Sequence, residues 1–338
     1  MKSQKMSGKR LLPGVSVVIC CYNSAQVIAP TIQTLARQEV PQHIGYEVIL
    51  VDNNCSDNTV DLAKSNWNNQ DYSLRIIKEG KPGLIYARKT GVSEARYDLL
   101  LFVDDDNILN PDWVKTLYRL YKKMPRVGFI GGYNEPLVSG EKPAWFDRYQ
   151  GIYACGPRDE KSGLNPKGIF GAGLSFRTEA IKSVLFSPLP PFLTGVTGNT
   201  LLRGEDAEMA LRCRLLGWDS YYDESLKLQH HLLPRRLTWG YVCRAQKGDG
   251  SARVILKIYR DLLNNREPWC FSRWVRYVLG EWKRYLKKNG KNIFHINKQG
   301  SLSSFQFYWL VGMSRGLWWH RKSYDDIQQR ISAYFKQG

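Results

Sequence analysis

Three short apolar runs, residues 15–21 (VSVVICC), 47–51 (EVILV) and 98–103 (DLLLFV), constrain this chain more than any other feature. Each is continuously hydrophobic rather than alternating, the pattern of a strand buried on both faces, which is found where helices cover both sides of a parallel sheet. The intervening segments agree. Residues 27–38 carry Ile28, Ile32 and Leu35 at helical spacing with Pro30 in the tolerant first turn, 56–65 begin at Ser56 or Asp57 as N-cap, and 84–95 form a further helix after a strand at 74–78. Strand and helix alternate, so the fold class is α/β, with a mostly parallel central sheet flanked by helices. Downstream, a helix ending near Lys123, strands at 127–131, 169–177 and 220–230, and a helix at 205–216 continue the domain to about residue 250. The stretch 134–166 lacks periodicity and reads as a long functional loop region.

In such sheets ligands bind beyond the carboxyl ends of the strands. Three polar turns lie there: Tyr22-Asn23, Asp52-Asn53-Asn54 and Asp104-Asp105-Asp106. Three adjacent carboxylates repel one another, and a divalent cation relieves that repulsion; oxygen donors suit Mg²⁺ or Mn²⁺, which take one or two carboxylates together with substrate phosphates. A helix cap with solvated neighbours is the plainer alternative.

The segments VSVVICCYN, VILVDNNCSDNT, GLIYARKTGVSEARYDLLLFVDDDN and GEDAEMALRCRLLGW, in this order, resemble the inverting family 2 glycosyltransferases of GT-A fold, over about residues 15–250. The resemblance implies a nucleoside diphosphate sugar donor, with UDP the family's commonest choice. It places the nucleotide on Tyr22, Asn23 and Asp52, a base or phosphate contact on Arg88, and the donor on Asp104 and Asp105. It places the metal on Asp106, with His231, or else His230, as a further metal or phosphate ligand. Gly204-Glu205-Asp206 resembles the family motif whose aspartate deprotonates the acceptor hydroxyl, which makes Asp206 the expected base and sets Glu205 on the acceptor side. The plainer alternative for that pair is a helix N-terminus that favours acidic residues. Trp145 and Gly171 to Gly173 could line an acceptor sugar or simply pack in the core. Arg235, Arg236 and Arg244, with Gly248-Asp249-Gly250, would form a lid over the diphosphate. A QxxRW motif is missing, so one sugar per encounter is expected, delivered to a glycan or lipid-linked acceptor of bacterial surface polysaccharide or glycolipid type.

Composition bears on partners. A formal charge of +18 attracts polyanions. Its densest part, where Arg273, Arg276, Lys283, Arg284, Lys287 and Lys288 interleave with Trp269, Phe271, Trp274, Tyr277 and Trp282, suits an anionic membrane surface or a helical cap packed on the core. Residues 251–338 are therefore expected as a basic, aromatic-rich helical extension that holds the protein peripherally on the inner face of the cell membrane. The apolar stretch 305–319 is interrupted by Gln306, Ser314 and Arg315 and is too short to span a bilayer. Seven cysteines without CxxC spacing fit a reducing cytoplasm, and the basic amino terminus lacks a signal h-region. No nucleic-acid-binding module is recognisable, GxGxxG does not follow the first strand, and GKPGL lacks a P-loop ending. The competing readings are a catalytically inactive GT-A binding module and a basic nucleic-acid-binding protein.

Overall fold

The computed structural model describes residues 10–157, 161–166, 168–195, 203–290 and 298–336; the basic amino terminus at 1–9 lies outside them. In chain order the elements are β1 (Leu12–Cys21), α1 (Ile28–Ala36), β2 (Gly45–Asp52), α2 (Thr59–Asn66), β3 (Ser73–Lys78), α3 (Leu84–Glu94), β4 (Tyr97–Val103), β5 (Asn107–Leu109), α4 (Trp113–Lys123) and β6 (Val127–Val138). There follow α5 (Phe146–Tyr149), β7 (Gly163–Leu164), β8 (Ser175–Arg177), α6 (Thr178–Leu185), α7 (Glu205–Leu215), β9 (Asp219–Leu232), α8 (Trp239–Leu263), α9 (Phe271–Asn289), α10 (Leu302–His320) and α11 (Tyr324–Lys336).

One sheet runs β3-β2-β1-β4-β8-β6-β9-β5, with β7 paired to β9. Its first four strands are parallel, and β8 turns antiparallel between β4 and β6. Alternate residues of the parallel strands feed two cores on opposite faces. Val17, Ile19, Val48, Leu50, Leu99 and Leu101 pack with α1 and α4, whereas Val18, Ile49, Val51, Leu100 and Phe102 pack with α3 and α6. Burial on both faces is the physical reason the runs carry so few polar residues, and Ser16, within the first of them, is buried and donates to Glu47. Parallel register brings Cys21 beside Asp52 and Ile19 beside Val103, so the three polar turns open at the same edge.

Two expectations are corrected. Of the strand expected at 169–177 only Ser175–Arg177 pairs, because Gly173 adopts φ +69° and turns the chain ahead of it. Gly248-Asp249-Gly250 is not a lid: it lies inside α8, a 25-residue helix that runs unbroken past residue 250. Gly250 serves helix packing. A Cβ on Gly250 would sit 2.4 Å from the Trp309 carbonyl oxygen, and one on Gly312 would sit 2.2 Å from that of Lys247, so α8 and α10 touch backbone to backbone.

The last four helices enclose their own apolar cluster, including Val254, Ile258, Tyr259, Trp274, Leu310 and Ile331. The aromatic residues of α9 turn inward. Trp274 is fully buried and donates to Tyr324 at 2.8 Å, and Trp282 donates to Ser314 at 2.9 Å. Arg273, Arg276, Lys283, Arg284, Lys287 and Lys288 stay exposed. The cap is tied to α7 through buried Glu208, which accepts hydrogen bonds from Tyr259 Oη at 2.6 Å and from the backbone of Phe192 and Leu193. Among the described residues no helix is long and apolar enough to cross a membrane.

Candidate active site

A cavity of about 840 Å³ opens at the carboxyl edge of the parallel strands and reaches the C-terminal helices. Its volume falls in the range of small-molecule sites. Asp104, Asp105 and Asp106, which follow directly on β4, line one side; Arg88 of α3 and Glu205 and Asp206 of α7 line another. Sequence positions separated by a hundred residues thus face one space.

Asp106 is the most heavily supported carboxylate. β5 pairs antiparallel with β9 so that Asn107 stands opposite His230, and this register sets the imidazole against the neighbouring aspartate. Asp106 meets His230 Nε2 at 3.3 Å and Arg236 Nη1 at 2.8 Å, and accepts from Asn107 Nδ2 at 3.1 Å. Burial alone would raise its pKa, but the two cations and their hydrogen bonds win and bring it down to about 2. His230, which burial would hold neutral, is pulled well above the ordinary histidine value by Asp106 and, less strongly, Cys155. Its flanking carboxylates behave oppositely. Burial and repulsion from Asp106 push Asp104 to about 6 and Asp105 to about 7, the latter despite a hydrogen bond from Ser24.

At the other wall, Arg88 is buried with 4% of its side chain exposed and reaches Asp206 at 2.7 Å and Glu205 at 4.0 Å. The Asp206 contact is close enough for an ion pair but not aligned as a hydrogen bond. Asp206 Oδ1, Glu205 Oε2 and Arg88 Nη1 are buried without a hydrogen-bond partner. Burial and the charge of Asp206 push Glu205 up to about 7, against the pull of Arg88. Both carboxylates sit in the first turn of α7, where the helix dipole favours negative charge. Gly171 makes the approach possible: a Cβ there would lie 1.9 Å from Asp206 Oδ2. Unsatisfied buried polar atoms are uncommon, and here four of six among the described residues belong to Arg88, Glu205, Asp206 and His231.

A smaller cavity of about 120 Å³ adjoins the first, between Tyr22, Asn23, Asp105, Asp106, His231 and Arg236. His231 does not touch the Asp106 carboxylate. Its Nε2 lies 2.6 Å from Ser139 Oγ, its backbone N–H donates to the Asp106 carbonyl, and its Nδ1 is buried without a partner. Tyr22 is 64% exposed at the mouth, Asn23 takes φ 53° and accepts from the Ser56 backbone, and Asp52 accepts from the Cys55 backbone at 2.8 Å. Asn53 bridges the turns, donating to the Glu79 and Lys81 carbonyls and accepting from Gly83.

Two acceptor-side expectations are not met by the geometry. Trp145 packs edge-on against Trp239, 5.4 Å between centres, and Gly173 lies against Trp113 and Leu228; neither lines the cavity. Both residue types serve cores as readily as sugar sites, and the core took them here. His230 and Arg236 as partners of Asp106, and Gly171 as the floor beneath Asp206, carry no local sequence signal because each depends on the pairing of distant segments. Among the described residues no three His, Cys, Asp or Glu side chains cluster as a self-sufficient metal cage.

Residues 16–184, half of the chain, match the profile of the family described as Glycosyl transferase family 2. Among curated relatives, the glucosyl-dolichyl phosphate glucuronosyltransferase of Haloferax volcanii is 22% identical over 280 residues, 81% of this chain and 87% of that protein. The poly-β-1,6-N-acetyl-D-glucosamine synthase of Staphylococcus epidermidis is 23% identical over 258 residues, 75% of this chain, but the match spans only 58% of the synthase. Among solved structures, S. aureus TarS 1-349 in complex with UDP-GlcNAc superposes with a TM-score of 0.54 at 14% identity, covering 96% of this chain and 92% of that one. GalNAc-T7 with UDP, GalNAc and Mn²⁺ reaches a TM-score of 0.50 at 14% identity, over 74% of this chain and 52% of that one. The fold is therefore GT-A, and with the family's profile running through β1, β2 and the acid triplet as far as α6, the chain belongs to glycosyl transferase family 2 and is a glycosyltransferase.

Proposed function

We propose that this chain transfers a sugar from a nucleoside diphosphate donor, with UDP as the nucleotide, to a hydroxyl of a glycan or lipid-linked acceptor, inverting the anomeric centre, with Asp206 as the base. The observation that carries this reading is the opposition, across one cleft, of the acid triplet and an Asp206 carboxylate oxygen left without a hydrogen bond. A base needs a free lone pair within reach of the acceptor proton, and Asp206 Oδ1, held 2.7 Å from the Arg88 guanidinium, makes no hydrogen bond. Inversion requires attack from the side opposite the leaving diphosphate, and the two acidic walls supply two such sides. The named relatives act on a dolichyl phosphate-linked sugar and make poly-N-acetylglucosamine, and the TarS structure holds UDP-GlcNAc, all within this class of chemistry.

The residues fit a divalent metal, Mn²⁺ or Mg²⁺. Asp106 offers carboxylate oxygens, His231 Nδ1 is a buried nitrogen in need of a partner beside the same small cavity, and such ions complete their shells with phosphate and water. When bound, the ion supplies charge stabilisation for the departing diphosphate. The protein adds its own. Arg236, now on Asp106, stands where a phosphate would be met, and Tyr22 with Asn23 and Asp52 forms the turn suited to the nucleotide base. Asp104 and Asp105 face the donor's ribose and sugar.

Membrane association also belongs to this proposal. The outward face of α9 joins its six cations to exposed Leu279 and Leu286, and α10 ends in Trp318 and Trp319, 64% and 43% exposed. We place this face on the cytoplasmic leaflet. Co-sedimentation with phosphatidylglycerol vesicles, lost on Trp318→Ser with Trp319→Ser, tests it; retention in the double variant contradicts it. For the reaction, the test is UDP release from a panel of UDP-sugars. Asp206→Asn is expected to lose about 10²- to 10⁴-fold in rate while still binding UDP, and an active Asp206→Asn would remove the base from this account.

A further inference from the structure

The large cavity has two unlike ends. One is the acidic pair of walls; the other lies under α8 and α10, where Arg148, Arg203, Arg253 and Arg260 meet Leu256, Leu302, Phe305 and Trp309. Arg203 is held by Asp249 at 2.7 Å. Arg148 and Arg253 instead rest on aromatic rings, 5.9 Å from the centre of Tyr149 and 5.7 Å from that of Trp309, and neither has a carboxylate against it among the described residues. A cleft that gathers carboxylates at one end and unpaired guanidiniums among apolar side chains at the other presents two recognition surfaces of opposite charge. The donor's diphosphate is assigned to the acidic end, and the arginines line the same cavity as Asp206.

Resting on the reading of Asp206 as the base, we infer that the basic end holds the acceptor, and that the acceptor carries a phosphate attached to an apolar chain. The phosphate sits between Arg148 and Arg253, where guanidinium forks bind phosphate oxygens. The chain lies along Leu256, Leu302, Phe305 and Trp309. The sugar hydroxyl beyond the phosphate then points toward Asp206. Charge complementarity decides the first part and the apolar lining the second: a neutral glycan would leave two cations facing it, and a free inorganic anion would leave the aromatic wall unused.

The test is calorimetric titration of the full-length protein, saturated with UDP and Mn²⁺, with octyl phosphate, inorganic phosphate and octyl glucoside. Octyl phosphate is expected to bind at least tenfold more tightly than either of the others. Arg253→Gln is expected to weaken it at least tenfold and Arg253→Lys less, with an unchanged melting temperature reporting intact folding. Leu302→Asp, at an exposed position of the lining, is expected to weaken octyl phosphate and spare inorganic phosphate. Equal affinity for octyl phosphate and octyl glucoside, or indifference to Arg253→Gln, would overturn the phosphate site. Equal affinity for octyl phosphate and inorganic phosphate would overturn the apolar one. The UDP and Mn²⁺ titration that precedes each run reports on the donor site separately, so failure there is distinguishable from failure here.

Discussion

The two acidic corners of the cleft are built to opposite electrostatic designs. At the Asp106 corner two cations, His230 and Arg236, serve one carboxylate, and its pKa falls to about 2. At the Asp206 corner Arg88 is shared between two carboxylates, Arg203 adds only a weaker pull on Glu205, and Glu205 is pushed up to about 7. The first corner holds a fixed negative charge at any physiological pH. The second is short of positive charge, leaves hydrogen bonds unmade, and spends stability to do so. On the roles proposed above, the difference is a division of labour: the group that would grip a ligand is over-supported, and the group that would accept a proton is left partly unsatisfied.

The largest expected effect breaks the weaker corner. Arg88→Met leaves half-buried Glu205 and Asp206 without their ion-pair partner and should cost up to about 3 kcal/mol of unfolding free energy at pH 8, less at pH 5 where Glu205 is protonated; denaturant melts at the two pH values check it. If stability at pH 8 is unchanged, Arg88 does not compensate the pair. Next in size, Gly171→Ala must displace the Asp206 carboxylate, the movable end of a side chain. Activity should fall about 10²-fold while the melting temperature stays within a few degrees. A large loss of stability with normal turnover would contradict the role given to this glycine.

Smaller effects sharpen the contrast through pH. Glu205 has a folded-state pKa above its unfolded value, so its ionisation penalises the folded state as pH rises from about 4.5 through about 7. Glu205→Gln should therefore raise the melting temperature by roughly 5 °C at pH 8 and leave it unchanged near pH 4. His230 carries the reverse sign. Its raised pKa contributes stability that is fully present below pH 6.5 and lost as pH climbs through the folded value, so His230→Gln in EDTA should lower the melting temperature by roughly 3 °C at pH 6 and progressively less at higher pH. A melting temperature not raised in Glu205→Gln at pH 8, or not lowered in His230→Gln at pH 6, would erase the distinction between the corners.

Much of the first corner is legible in the amino-acid sequence. Strands buried on both faces must be continuously apolar, so β1, β2 and β4 announce themselves, and their polar ends mark the ligand edge. Asp104 to Asp106 and Glu205-Asp206 stand out because adjacent carboxylates are costly without a purpose. The supports were not legible. His230 and Arg236 reach Asp106 only through the β5 and β9 register, and no local pattern encodes a pairing between segments that far apart. Arg88 read as a nucleotide contact, whereas its guanidinium is spent on α7. Gly250 reads as a loop residue because glycine weakens an isolated helix, yet in α8 it lets α10 approach. The boundary expected at residue 250 falls within that same helix, so the last four helices share an element with the site they wall.

The central claim is that the acid triplet grips a divalent ion and, through it, the donor's diphosphate. Calorimetry of UDP binding with Mn²⁺ or with EDTA, in the natural chain and in Asp106→Asn, tests it most directly. The account predicts that EDTA weakens UDP at least tenfold in the natural chain and changes nothing further in Asp106→Asn, which should already bind weakly. UDP affinity equal in Mn²⁺ and EDTA, or undiminished in Asp106→Asn, would contradict it.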